Sequence, residues 1–265
     1  MAQTPDLGLP AVLLAGGRPD DKVAASQGKS VKALAELNGR PIVSYVVEAL
    51  EGAGVRPIWV ATSVAAATDM HAAIADGAQI LATAEPNFTD TLLLGLTAVG
   101  DVPAVLLCTA DLPLLTPEAV TDFVDRARAT GAEVVYSAVA LDDLKPPYDS
   151  AVRVKVKLRE GPMSGGNIVL AKPSALRHAI EVVQKAFAGR KSPLALARLF
   201  GPMFIVRYMT GTLDIPRLRE RGRAILGCGV DVVISHYPEV CFDIDNPEHL
   251  DVAQAVLAQR GHAPQ

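Results

Sequence analysis

Ala11-Val-Leu-Leu-Ala-Gly-Gly17 is the stretch that decides how this chain folds. A short apolar run closed by glycines predicts a parallel strand buried on both faces, and glycines at its carboxyl end let main-chain N–H groups approach an anion. Open α/β sheets bind their ligands at that end. Two common phosphate loops are excluded by spacing. A Walker A loop needs a glycine five places before the glycine of G-K-[ST], and before Gly28-Lys29-Ser30 that place is Val23. A dinucleotide fingerprint needs G-x-G-x-x-G directly after the strand, whereas Gly16-Gly17 runs into Arg18-Pro19-Asp20-Asp21. Gly227-Cys-Gly229 fails too, with Val232 in place of the third glycine. What remains is a strand, a Gly-Gly turn, a long polar loop with Arg18, Lys22 and Lys29, and then Lys32-Ala-Leu34 before an apolar segment ending in Gly39-Arg40-Pro41.

Composition narrows the function classes. A chain of 265 residues that is 50% hydrophobic can fill a sizeable core without a second domain. The net charge of −4 argues against a general nucleic-acid surface, although a few local cations suffice for a phosphate ligand. Cys108, Cys228 and Cys241 lack C-x-x-C spacing, and the five histidines lack H-E-x-x-H spacing, so zinc chemistry is not indicated. With no signal-like start and no run of roughly 18 apolar residues, a soluble, cytoplasmic protein with no membrane partner is expected.

Downstream, helical and strand periods alternate. Ile42, Val43, Val46, Val47 and Leu50 recur at helical spacing behind Pro41; 57–61 reads as a strand, 65–75 as a helix and 78–82 as a strand. Such alternation predicts a parallel sheet with right-handed crossovers. Glu85-Pro-Asn-Phe-Thr-Asp-Thr91 then leads into an apolar helix, with Asp90 or Thr91 as its N-cap. The strand 102–108 ends in Thr109-Ala-Asp111-Leu-Pro, where an acid is placed to hold a cation over phosphates. A helix at 118–129 and a strand at 133–140 follow.

From Leu141 the pattern changes. Residues 151–158 alternate apolar with cationic, predicting an antiparallel strand whose wet face carries Arg153, Lys155 and Lys157. Gly165-Gly166-Asn167 combines backbone freedom with an amide. A helix is expected over 173–188, a basic link at Arg190-Lys191-Ser192, helices over 194–200 and 215–226, and a strand over 230–235. In Asp243-Ile-Asp245-Asn-Pro-Glu-His-Leu250 the two acids point the same way along an extended segment, and Asp245 or Asn246 caps a helix with Pro247 at its first position.

Leu14-Ala-Gly-Gly17 with Lys32-Ala-Leu34 and Gly39-Arg-Pro41, then Asp111-Leu-Pro-Leu114, then Asp243 to Leu250 resemble, in order, three strings of the MobA-like nucleotidyltransferases. These are relatives of the molybdenum-cofactor cytidylyl- and guanylyltransferases and of the sugar-phosphate nucleotidyltransferases. Their strings read L-A-G-G…K-x-L…G-[KR]-P, D-x-P-[LF] and D-x-[DN]-T-P-E-[DE]-L. Residues 11–140 and 230–260 resemble them closely, and 141–229 loosely. The resemblance implies a single three-layer α/β/α Rossmann-like domain of the GT-A type over 1–265, its mostly parallel sheet interrupted by an antiparallel insertion. Residues 11–140 would bind nucleotide, 141–229 the acceptor, and 230–260 would close the site. It implies transfer of a nucleotidyl group from CTP or GTP to a phosphate-bearing acceptor with Mg²⁺. By the same resemblance Leu14, Ala15, Gly16, Gly17, Glu85 and Thr91 would contact the nucleotide. Lys32 and Arg18 would stabilise the triphosphate, Asp111 with Asp243 and Asp245 would hold the metal, and Gly165, Gly166 and Asn167 would meet the acceptor. One departure is that the loop between Gly17 and Lys32 is longer than the family's, with Arg18 its only arginine. A glycosyltransferase would want D-x-D where Thr109-Ala-Asp111 stands, and a non-catalytic nucleotide-binding module would not need the carboxylates.

Overall fold

A computed structural model describes residues 6–17, 21–74, 77–84, 87–151, 156–189 and 199–261. Its main sheet has eight strands: β1 (Ala11–Leu14), β4 (Ile58–Ser63), β5 (Gln79–Thr83), β6 (Val105–Thr109), β7 (Val134–Ala140), β8 (Val156–Leu158), β9 (Gly161–Ala171) and β10 (Val230–Ser235), in the order β10-β7-β9-β6-β1-β4-β5 with β8 paired to β9. Neighbours are parallel except around β9, which runs antiparallel to β6, β7 and β8. β1 lies between β4 and β6, as expected for the apolar run that opens the chain.

Strand alternation splits the core into two faces. Ala11 and Leu13 join a cluster with Val43, Val46 and Leu50 of α2 (Ile42–Gly52) and Phe123 and Val124 of α5 (Pro117–Ala129). Val12 points the other way, to Leu92 and Leu96 of α4 (Phe88–Val99) and Leu176 of α6 (Pro173–His178). Each such Val, Leu or Phe side chain contributes about 1.5–3 kcal/mol of burial; together they make the three-layer α/β/α arrangement. A third cluster joins Val23 of α1 (Lys22–Ser26), Leu37 of a small hairpin, Leu114, and Phe242 and Ile244 to Ala253 and Val256 of α10 (Pro247–Gln259). It docks the chain's last segment over the loop that carries Lys32.

The structure differs from the sequence-based expectation in several places. The long loop contains α1, capped by Asp21, whose carboxylate accepts from Val23 and Ala24 N–H. Glu36–Leu37 (β2) and Arg40–Pro41 (β3) pair around Asn38-Gly39, both at positive φ, a two-residue hairpin turn suited to Asn-Gly. Asn87, not Asp90 or Thr91, caps α4. The helix expected over 173–188 breaks at Ala179 into α6 and α7 (Ile180–Gly189), and an unexpected α8 (Pro202–Met209) precedes α9 (Ile215–Leu226). α3 (Ala67–Ile74) falls within the expected span. Residues 152–155, half of the strand expected over 151–158, and 194–198, most of the helix expected over 194–200, lie outside the described residues. Among the described residues no helix is long and apolar enough to cross a membrane.

Candidate active site

β1 and β6 are parallel neighbours, so the chain leaves both at the same end of the sheet. The Gly16-Gly17 turn follows β1. Gly17 has φ +68°, and a side chain there would press on Val31. The turn is pinned from two strands: Ala15 N donates to Ala61 O at 2.8 Å, Thr62 Oγ1 donates to Ala15 O at 3.0 Å, and Ala110 N donates to Leu14 O at 3.3 Å. Asp111 follows β6. Ile244 N donates to Asp111 O at 3.0 Å and so draws the last segment across the end of the sheet. Phe242 and Ile244 are wholly buried, and the acids alternating with them, Asp243 and Asp245, turn to the opposite side. Ligand oxygens of Asp111, Asp243 and Asp245 thereby come within 4.8 Å of one another.

Lys32 opens a short 3-10 turn whose next two residues, Ala33 and Leu34, are buried and hold it in place. Its Nζ is 2.5 Å from Asp111 Oδ2 and 3.1 Å from Asp245 Oδ1. Burial alone would lower the Lys32 pKa, but Asp111, then Asp245 and Asp243, outweigh it and raise it. The ammonium stays charged. Asp243 is pushed up to about 7, first by burial and then by the Asp111 and Asp245 charges, against the pull of Lys32. One ammonium therefore faces three carboxylates. Among the described residues the buried Asp111 Oδ1 has no hydrogen-bond partner, a costly state for a carboxylate oxygen. An all-carboxylate set with an unsatisfied oxygen suits a hard divalent cation such as Mg²⁺, so these residues fit the expected metal.

The expected acceptor residues lie alongside. Cys108 of β6 pairs with Ile168, so Gly165, Gly166 and Asn167 run on past the end of β6 towards Asp111. Both glycines sit inside β9, and neither has a positive φ. Space, not backbone freedom, explains them: a Cβ on Gly166 would overlap Ser137, and one on Gly165 would lie 2.7 Å from the Tyr136 hydroxyl. Asn167 is partly exposed between two buried neighbours.

Leu14 and Gly16 are half-buried, Ala15 is buried and Gly17 is exposed. Thr91 is buried, and its hydroxyl donates to the carbonyls of Asn87 and Phe88 at 2.9 and 3.1 Å, so its own helix engages it. Lys29 pairs with Glu36 at 2.6 Å, while Lys22 on α1 and Lys157 on β8 are exposed. Arg18, Glu85, Arg153, Lys155 and the Arg190-Lys191-Ser192 link lie outside the described residues.

His249 has a place here that sequence reasoning missed. Its ring is buried, with Nδ1 3.0 Å from Asp243 O and 3.3 Å from Asp245 N, and Nε2 3.3 Å from Asn246 Nδ2. It braces the segment that carries two of the three acids. The available signal was its position one helical turn beyond Asp245, inside the same motif.

The model of the MobA-like NTP transferase domain matches residues 11–194. A 3-deoxy-manno-octulosonate cytidylyltransferase from Rhodospirillum centenum is 26% identical over 268 residues, covering 97% of this chain and 95% of that protein. A hypothetical transferase from Thermus thermophilus superposes with a TM-score of 0.79 at 32% identity, over 91% of this chain and 99% of that one. The fold is also that of 2-C-methyl-D-erythritol 4-phosphate cytidylyltransferase from the same species, with a TM-score of 0.56 at 17% identity over 94% and 98% of the two chains. The matched residues hold the Gly-Gly turn, Lys32 and Asp111 and span well over half of the sequence: the chain belongs to the MobA-like NTP transferase domain family.

Proposed function

We propose that this chain is a Mg²⁺-dependent cytidylyltransferase, which moves CMP from CTP to a small sugar-like acceptor bearing an oxyanion and releases pyrophosphate. The observation that carries the reading is Lys32, lodged among Asp111, Asp243 and Asp245 at the sheet end where the Gly16-Gly17 turn also opens. The Rhodospirillum relative, named a cytidylyltransferase, supports CTP over GTP as the donor. The sequence led to a phosphate-bearing acceptor, whereas the octulosonate in that relative's name is a sugar acid. Their common chemistry is a hydroxylated skeleton with an anionic group.

In this reading an ionised acceptor oxygen, which has no proton to shed, bonds to the α-phosphorus of CTP as the bond from that phosphorus to the bridging oxygen breaks, and the electron pair leaves with pyrophosphate. Asp111, Asp243 and Asp245 would hold Mg²⁺, which when bound neutralises phosphate charge and orients the triphosphate. Main-chain N–H groups of the Gly16-Gly17 turn line the nucleotide's approach. Lys32, permanently charged, binds the triphosphate and stabilises the departing pyrophosphate. His249 keeps the Asp243-Asp245 segment in place, and the residues mainly position and neutralise, as phosphoryl chemistry requires.

Thermal shift and pyrophosphate release with each of the four nucleoside triphosphates and Mg²⁺ test the proposal. CTP is expected to raise the melting temperature most, since a ligand at 100 times its Kd stabilises by about 2.7 kcal/mol. A response confined to GTP would change the base, and no response to any of the four would defeat the reading.

A further inference from the structure

Tyr136 stands in the middle of β7, a strand paired on both edges, with β10 and β9. Helices normally cover both faces of such a strand. Tyr136 is nevertheless 41% exposed. Val169 of β9 and Val232 of β10, level with it on the same face, are only partly buried. Val169 packs on the core cluster that Val12 and Leu92 share, so the exposure is local to Tyr136 at the margin of that cluster. Beside Tyr136 the register slips: between the pairs Tyr136–Val169 and Ala138–Gly165, β7 advances two residues and β9 four. Such irregularities re-aim side chains beside functional sites.

The Tyr136 ring lies along the strand with its hydroxyl over Gly165, at the place where any other residue would put a Cβ. Gly165 belongs to the part of β9 that runs past β6 towards Asp111. Burial of the hydroxyl end, and after it the negative charge of Asp243, raise the Tyr136 pKa to about 12, and the phenol keeps its proton. Among the described residues the hydroxyl has no hydrogen-bond partner. An anionic acceptor brought up to three carboxylates needs a donor that adds no further negative charge, and a protonated phenol is one.

We propose that Tyr136 is an acceptor-specificity residue, whose hydroxyl, held over Gly165 near Asp243, donates a hydrogen bond to the anionic group of a sugar-phosphate or sugar-acid acceptor. This deepens the cytidylyltransferase reading and rests on it. The test is calorimetry on the full chain loaded with Mg²⁺ and a non-hydrolysable CTP analogue, titrated with 2-C-methyl-D-erythritol 4-phosphate or with 3-deoxy-manno-octulosonate as the phosphate and carboxylate probes. Wild type is expected to bind one of them. Y136F, which keeps the ring and its packing, should weaken that binding roughly 10-fold or more, as loss of a hydrogen bond to a charged group does, with affinity for the CTP analogue within about twofold. In turnover the acceptor KM should rise while the CTP KM holds. G165A, whose new methyl displaces only the far end of Tyr136, should reproduce the loss and carries the test if Y136F does not fold. Unchanged acceptor affinity in a folded Y136F overturns the assignment. Wild type that takes the CTP analogue but neither probe overturns it and leaves the nucleotide reading standing, whereas failure to bind the analogue at all overturns both.

Discussion

Lys32 already spans two of the three carboxylates that a cation would need. In the free protein it and a metal ion are therefore competitors, and the triphosphate offers the ammonium an alternative partner once the ion arrives. Lys32→Met keeps the aliphatic stem and removes the charge. Mn²⁺ alone, titrated by paramagnetic resonance, should bind this variant more tightly than wild type, while CTP affinity and turnover both fall. A weaker Mn²⁺ site with undiminished turnover would contradict both roles. Asp111→Asn should keep the fold and lose roughly 10²–10⁴ in turnover, the scale of removing several kcal/mol of metal-borne stabilisation. Asp111 could be singled out from its place at the end of an apolar strand, whereas Lys32, Asp243 and Asp245 were marked out by the resemblance of their strings to those of the MobA-like family. His249 was not, since its ring acts on main-chain atoms that only the turn ahead of α10 brings to it.

At the scale of elements, β9 shows what pattern alone misses. Gly165-Gly166-Asn167 read as backbone freedom beside an amide, yet the glycines occupy a strand without positive φ and are small because β7 presses on them. Ser137 Oγ donates to Ile168 O at 2.8 Å at this crossing. Gly166→Ala would force that hydroxyl aside and should destabilise by about 1–3 kcal/mol, the usual cost of overpacking, visible as a lower urea midpoint with an unchanged m-value. Gly166→Val should cost more, so lost turnover in it would report on the sheet and not on acceptor binding. A midpoint unmoved by Gly166→Ala would show that β7 yields freely here. Apolar runs and helical spacing were enough to read β1, β4, β6 and β7 with α2, α3 and α5, whereas Asn87 was passed over as a cap because Asp90 and Thr91 stand nearer the apolar run. β2 and β3 are too short to show a strand period, although Asn38-Gly39 marked their turn.

Across the whole molecule, the third core cluster clamps the Asp243-Asp245 segment over the sheet end, and like charges are held together by packing that the rest of the chain supplies. Read from the residues alone, this arrangement shows only as three separate motifs, which the family resemblance joins around one metal; their meeting in space depends on antiparallel β9 and on α10 folding back, which no single motif encodes. Holding the acids together should make stability depend on pH. Asp243 has an ordinary carboxyl pKa of 3.8 in the unfolded chain and about 7 in the folded one, so between these values the folded state binds more protons. Its contribution to stability is thus fully present below pH 3.8 and is lost as pH rises through about 7. In chelator, the melting temperature of wild type should fall more between pH 5 and pH 8 than that of Asp243→Asn, which has no proton to lose. For a chain of this size roughly 2–4 °C corresponds to each kcal/mol. Millimolar Mg²⁺ should restore the wild type at pH 8 by binding the ionised acids and do little for the variant, because linkage rewards only the state that binds. Identical pH profiles for the two proteins in chelator would mean that Asp243 is not held against its neighbours' charge.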